Sequence, residues 1–142
     1  LLYSIVATNN EAGDALDVFI DDTPDPNTTL TVGTATTTAG TVVVGNSGGD
    51  TSVSVDVGTL GFGDSVDVTF EVTINDPLPV GVETFSNNAV LTGSNFDPIV
   101  SNTTVNTLGE GAPSQPIPTL SFWSLIGFIA LLAGTAVWRL RL

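Results

Sequence analysis

Between Ser65 and Ile74 apolar and polar residues alternate: Val66, Val68, Phe70, Val72 and Ile74 share one parity, and Asp67, Thr69, Glu71 and Thr73 share the other. Side chains of an extended chain point to opposite sides in turn, so this pattern predicts an antiparallel strand buried on one face and wet on the other. Weaker versions of it predict strands at Leu2–Thr8, Ala15–Asp21, Thr28–Ala35, Gly40–Val44, Thr51–Val57, Thr84–Thr92 and Ile99–Asn106. Between them lie the turn-rich stretches DDTPDPN (21–27), GNSGGD (45–50) and GFGD (61–64).

About seven to eight short strands spaced by turns over roughly a hundred residues fit one Ig-like antiparallel β-sandwich. The predicted fold is therefore all-β over residues 1–107, with one hydrophobic α-helix at the C-terminus. The expected core consists of Val18, Ile20, Val53, Val55, Val57, Leu60, Val66, Val68, Phe70, Val72 and Val90. Such a core is large enough to fold without disulfides.

The pattern ends near residue 107. Residues 108–118 include GEGAPSQPIP, which reads as a semi-stiff linker. Residues 119–142 then form a third unit. Within it Leu120–Trp138 carries no charge and includes Phe122, Leu125, Ile126, Phe128, Ile129, Leu131, Leu132 and Val137. As a helix it would extend about 28 Å, close to the ~30 Å of a bilayer core. Trp123 and Trp138 stand near its ends, and Arg139 and Arg141 follow. Aromatic residues favour the two interfaces, and the positive-inside rule places the arginines in the cytoplasm and the preceding body outside.

Charge sharpens this division. The chain of 142 residues has fifteen Asp and Glu, two Arg, and no Lys, His, Cys or Met. Every acid lies at or before Glu110, so an acidic body is joined to a cationic tail. Phosphate binding requires cations that displace counterions, which excludes a nucleic-acid partner. Without His, Cys or Lys the common acid–base, thiolate, Schiff-base and Cys/His zinc sites cannot be assembled, and an enzyme is not expected. A Lys–Asn isopeptide crosslink is excluded as well. Because the chain does not begin with Met, a signal peptide, earlier domains or both are expected before Leu1.

The tail IPTLSFWSLIGFIALLAGTAVWRLRL resembles the IPTL-type C-terminal sorting signal of Gram-negative bacteria: a short motif, a hydrophobic helix and terminal arginines. The motif residues are Ile117, Pro118, Thr119, Leu120, Ser121 and Trp123; Phe122 and Ser124 stand where the family usually has Glu and Gly. The resemblance implies export, at least transient residence in the inner membrane, and processing by an exosortase-type transpeptidase that cuts near the motif. The body, over about residues 3–106, resembles the Ig-like surface repeat called domain of unknown function eleven. Its most specific pieces are ATN (7–9), DALDV (14–18), VGTLGFGDSV (57–66) and SNNAVLTGS (86–94). The family's leading strand is absent, which implies a sandwich with an open first edge. Such edges are filled by added strands.

Asp21, Asp22 and Asp25 are candidates for Ca²⁺, which takes oxygen ligands from loops, although a solvated turn explains them with Pro24 and Pro26. No other cofactor is expected. Asp67 and Glu71 could be paired as glycosidase carboxylates, but their shared parity on one strand favours a plain exposed face. Gly127, Gly134, Ala130, Ala133 and Ala136 permit close helix contact, as well as an ordinary membrane span. The asparagines of the two sequons, Asn27 and Asn102, are incidental in a bacterial chain, and β-propensity accounts for most of the threonines. Two functions follow as expectations. One is a non-catalytic structural protein, exported and sorted to the cell surface. The other is a filament subunit that self-associates through bundled C-terminal helices or the open sheet edge.

Overall fold

The computed structural model describes residues 1–109 and the backbone of 136–141. The chain is all-β across these residues. In order, β1 is Leu2–Thr8, β2 Ala15–Asp22, β3 Thr28–Leu30, β4 Thr36–Thr37, β5 Thr41–Val44 and β6 Val53–Leu60. They are followed by β7 Ser65–Ile74, β8 Thr84–Asn87, β9 Ala89–Thr92, β10 Ile99–Val100, β11 Thr104–Thr107 and β12 Ala136–Arg141.

One sheet runs β12-β1-β7-β3, with β4 also paired to β7; a second runs β10-β9-β2-β6-β5, and β11 pairs with β8. Every pairing is antiparallel except β12 on β1, which is parallel. The inward parity of β1 (Tyr3, Ile5, Ala7) and of β7 (Val66, Val68, Phe70, Val72) joins that of β2 and β6 (Val18, Ile20, Val53, Val55, Leu60) in a single core. The aromatic rings of Tyr3 and Phe70 lie 5.5 Å apart, tilted by 40°.

The alternation over Ser65–Ile74 holds along the whole of β7. Its outer parity is stitched to neighbours by hydroxyls: Thr36 with Thr69 at 2.7 Å and Thr8 with Ser65 at 2.8 Å. Such cross-strand pairs suit an outer sheet face, and they give these threonines a structural role.

Elsewhere the structure departs from the pattern. The strand expected over Thr28–Ala35 stops at Leu30, because Thr34 folds back to donate its hydroxyl to the Thr31 carbonyl at 2.7 Å. The stretch Thr84–Thr92 divides at Asn88 into two strands paired with different partners. The inward parity nevertheless runs on unbroken through Phe85, Asn87, Ala89 and Leu91, so Val90, expected in the core, is only partly buried. Val57 likewise lies at the core margin rather than within it. Strand β2 carries a register shift around Asp17, whose φ of 51° is left-handed; Asp tolerates that conformation and a bulge uses it.

The linker beyond residue 109, the motif Ile117–Trp123 and the apolar stretch through Leu132 lie outside the described residues. The helix expected over Leu120–Trp138 therefore lies outside the described residues except for Ala136, Val137 and Trp138, which stand on β12. From Trp138 apolar and cationic residues alternate (Trp138, Arg139, Leu140, Arg141), a period of two that suits a strand. Among the described residues no helix is long and apolar enough to cross a membrane.

Candidate functional site

Three places hold the residues singled out above: the outer edge of β1, the turn between β2 and β3, and the joined turns at the opposite end of the sheets.

At the edge, β12 lies in register along all of β1 beyond its first residue, from Tyr3 beside Ala136 to Thr8 beside Arg141. Val6 stands between Arg139 on β12 and Asp67 on β7, so a cation and an acid share one row of the sheet. The edge expected to be open is thus covered by the chain's own C-terminal strand. An edge strand presents unpaired N–H and C=O groups, and a parallel strand satisfies them.

The turn after β2 separates the three candidate calcium ligands. Asp21 is exposed on β2, while Asp22, one residue on, has inward parity and is 2% exposed. Asp25 uses its carboxylate locally: Oδ1 accepts the Asn27 backbone N–H at 2.9 Å and Oδ2 accepts the Ser86 N–H at 3.0 Å. Partial burial raises its pKa, but these N–H donors outweigh it and hold the carboxyl below its ordinary value. Asp25 therefore clamps the turn to β8. Among the described residues no group of three or more His, Cys, Asp or Glu is placed to hold a metal ion.

Asp22 has one partner, the Asn87 amide, whose Nδ2 donates to Asp22 Oδ2 at 2.8 Å. Burial pushes the Asp22 carboxyl up to about 7, and the Asn87 bond opposes this only in part. Close by, the Asn106 amide donates to the Tyr3 hydroxyl at 3.3 Å. Burial raises the Tyr3 pKa against that bond, and the negative charge of Asp22 and Asp25 raises it further. Sequence reading set Asp22 on a solvated turn and did not single out Asn87. The missed signal was parity, since Val18, Ile20 and Asp22 alternate inward along β2.

At the other end Asn9 ties two turns together. Its Nδ2 donates to the carbonyls of Gly13 (2.7 Å) and Leu60 (2.8 Å), and its Oδ1 accepts the Glu11 N–H at 3.0 Å. Its backbone accepts from Gly63 at 2.7 Å and donates to Asp64 at 3.0 Å. The ATN and VGTLGFGDSV segments are therefore halves of one hydrogen-bonded knot. Asn9→Ala would remove the amide from the buried Leu60 carbonyl and from the partly buried Gly13 carbonyl and Glu11 N–H, and is expected to lower stability by about 1–3 kcal/mol, measured by urea unfolding. Beside the knot a cleft of about 330 Å³ is lined by Asn9, Glu11, Asp14, Asn95, Phe96 and Ile99. Its polar groups are carboxylates and amides. Asp67 and Glu71 are both exposed on the outer parity of β7, as the plain-face reading expects.

Comparison with protein-family models and with curated proteins finds no match to this chain.

Proposed function

We propose that this chain is a non-catalytic structural protein of the bacterial cell surface, built as an Ig-like sandwich and sorted through its C-terminal segment. The observation that carries this reading is the order of parts: an acidic β-body, the motif Ile117–Trp123, an uncharged run to Trp138, then Arg139 and Arg141. An uncharged run of that length fits a bilayer, and arginines directly after it hold its end in the cytoplasm. The body would then face outward. Its surface suits that position, with threonine hydroxyls bonded across strands and the carboxylates of β7 on its outer parity.

In this role an exosortase-type enzyme of the inner membrane cuts near the motif and releases or transfers the body. Topology tests the proposal. In intact cells with a permeabilised outer membrane, added protease is expected to reach the body, while a C-terminal tag stays protected until the inner membrane is opened. Protection of both ends alike would refute it.

One observation favours a second reading, in which the tail is retained. Strand β12 has a place along β1, so the C-terminal residues can be satisfied outside a membrane. The chain would then be a subunit of an extracellular filament, with apolar tails buried against one another and sandwiches outside.

A further inference from the structure

Asp22 and Asn87 form the one side-chain pair among the described residues that is fully buried and incompletely bonded. They are 2% and 3% exposed, and they join the end of β2 to the end of β8. The bond from Asn87 Nδ2 to Asp22 Oδ2 leaves Asp22 Oδ1 and Asn87 Oδ1 buried with no donor. Turning the amide over does not help, because it would set two acceptors 2.8 Å apart. In either orientation the pair is short of one hydrogen-bonding proton.

We propose that Asp22 is held as the neutral acid and donates that proton to the Asn87 amide oxygen, so that acid and amide bond reciprocally. A protonated carboxyl gains an O–H donor while keeping its acceptor, which supplies the one proton that the two orphan oxygens lack. An ionised Asp22 would leave a charge in the core with a single amide for company, a costly state. The neighbouring strands supply no compensating cation, since residues 1–138 contain no Lys, Arg or His. Of the titratable groups, Asp21 precedes Asp22 on β2 and is exposed, and Tyr3 on β1, beside which Asp22 and Asp25 both lie close enough to raise its pKa, is bonded to Asn106; strands β8, β9 and β11 carry none.

The pair therefore works as a pH-sensitive catch between the second sheet and the β8–β11 ribbon. Its sign follows from the direction of the shift. Burial raises the folded carboxyl from 3.8 to about 7, so its stabilising contribution is complete below the unfolded value and is lost as pH rises through the folded one. Each pH unit between about 4 and about 7 is expected to multiply the unfolding constant by up to about ten.

The test uses the full chain in detergent, with the Asp22 carboxyl followed by its ¹³C shift and unfolding measured from pH 4 to 9 for wild type, D22N and D22A. The wild-type carboxyl should titrate near 7. D22N, whose amide supplies the missing donor, should remove most of the pH dependence and unfold less readily than wild type at pH 8, whereas D22A should be weakened throughout. Titration near 4 would overturn the proposal, as would D22N no more stable than wild type at pH 8. A rise in wild-type stability at pH 8 on adding Ca²⁺ that D22N abolishes would overturn it too, by assigning the orphan oxygens to a cation. Should both variants fail to fold, the wild-type titration alone decides.

Discussion

Phe70→Ala is expected to lose about 3–5 kcal/mol of folding stability, a large share of the roughly 5–15 kcal/mol that holds a domain of ordinary size. Phe70 is fully buried at the middle of β7, where it packs beside Tyr3 at 5.5 Å. Its removal opens a cavity lined by strands from both sheets, and these cannot close on it without breaking their pairing. It also removes an aromatic contact worth about 0.5–1.5 kcal/mol beyond burial. Urea unfolding measures the loss, with Phe62→Ala as the control: Phe62 sits in the turn before β7 and is 67% exposed. The control should change stability by less than about 0.5 kcal/mol. Similar effects at the two sites would contradict the placement of the core.

Gly40→Ala is expected to cost about 2–4 kcal/mol, most of it from steric overlap. Gly40 has a φ of +78°, and a Cβ there would run into the Asp56 carbonyl oxygen and meet the Val57 Cα at 2.7 Å. Both obstacles are backbone of β6, the strand on which β5 depends for its pairing. The expected result is loss of hydrogen-exchange protection over Thr41–Val44 ahead of the rest of the sheet. Gly63→Ala separates the two causes. Its φ is +83° but nothing lies near its Cβ, so it should cost only about 1 kcal/mol, the conformational part alone.

The parts of the fold legible in the sequence are those where one face is dry and the other wet. Strand β7 could be read from end to end, because its inner parity is uniformly apolar and its outer parity uniformly polar. Legibility fails where a polar residue takes an inner position. Asp22 and Asn87 both sit on inward parities and meet across 65 residues of chain, and a residue-by-residue polarity reading assigns both to solvent. Val90 fails in the opposite sense: its β-branched side chain suggests a core position, but the inward parity that passes through Phe85 and Asn87 continues to Ala89 and Leu91. At the C-terminus the long apolar run outweighs the two-residue alternation of Trp138–Arg141, and only pairing with β1 distinguishes a strand there.

The same terminal residues decide between the two functional readings. Trp138 and the arginines either end a membrane segment or lie along β1, and one tail cannot do both at once. The acid–amide catch belongs to the body and is indifferent to that choice, so failure of its test would leave the sorting proposal intact.

The most direct measurement of the central claim is the mass of the mature C-terminus of the chain recovered from the native cell surface. The sorting account predicts a chain that ends near Pro118, with the intact form through Leu142 confined to the inner membrane. Surface material that keeps Leu142, above all in regular fibres, would contradict it.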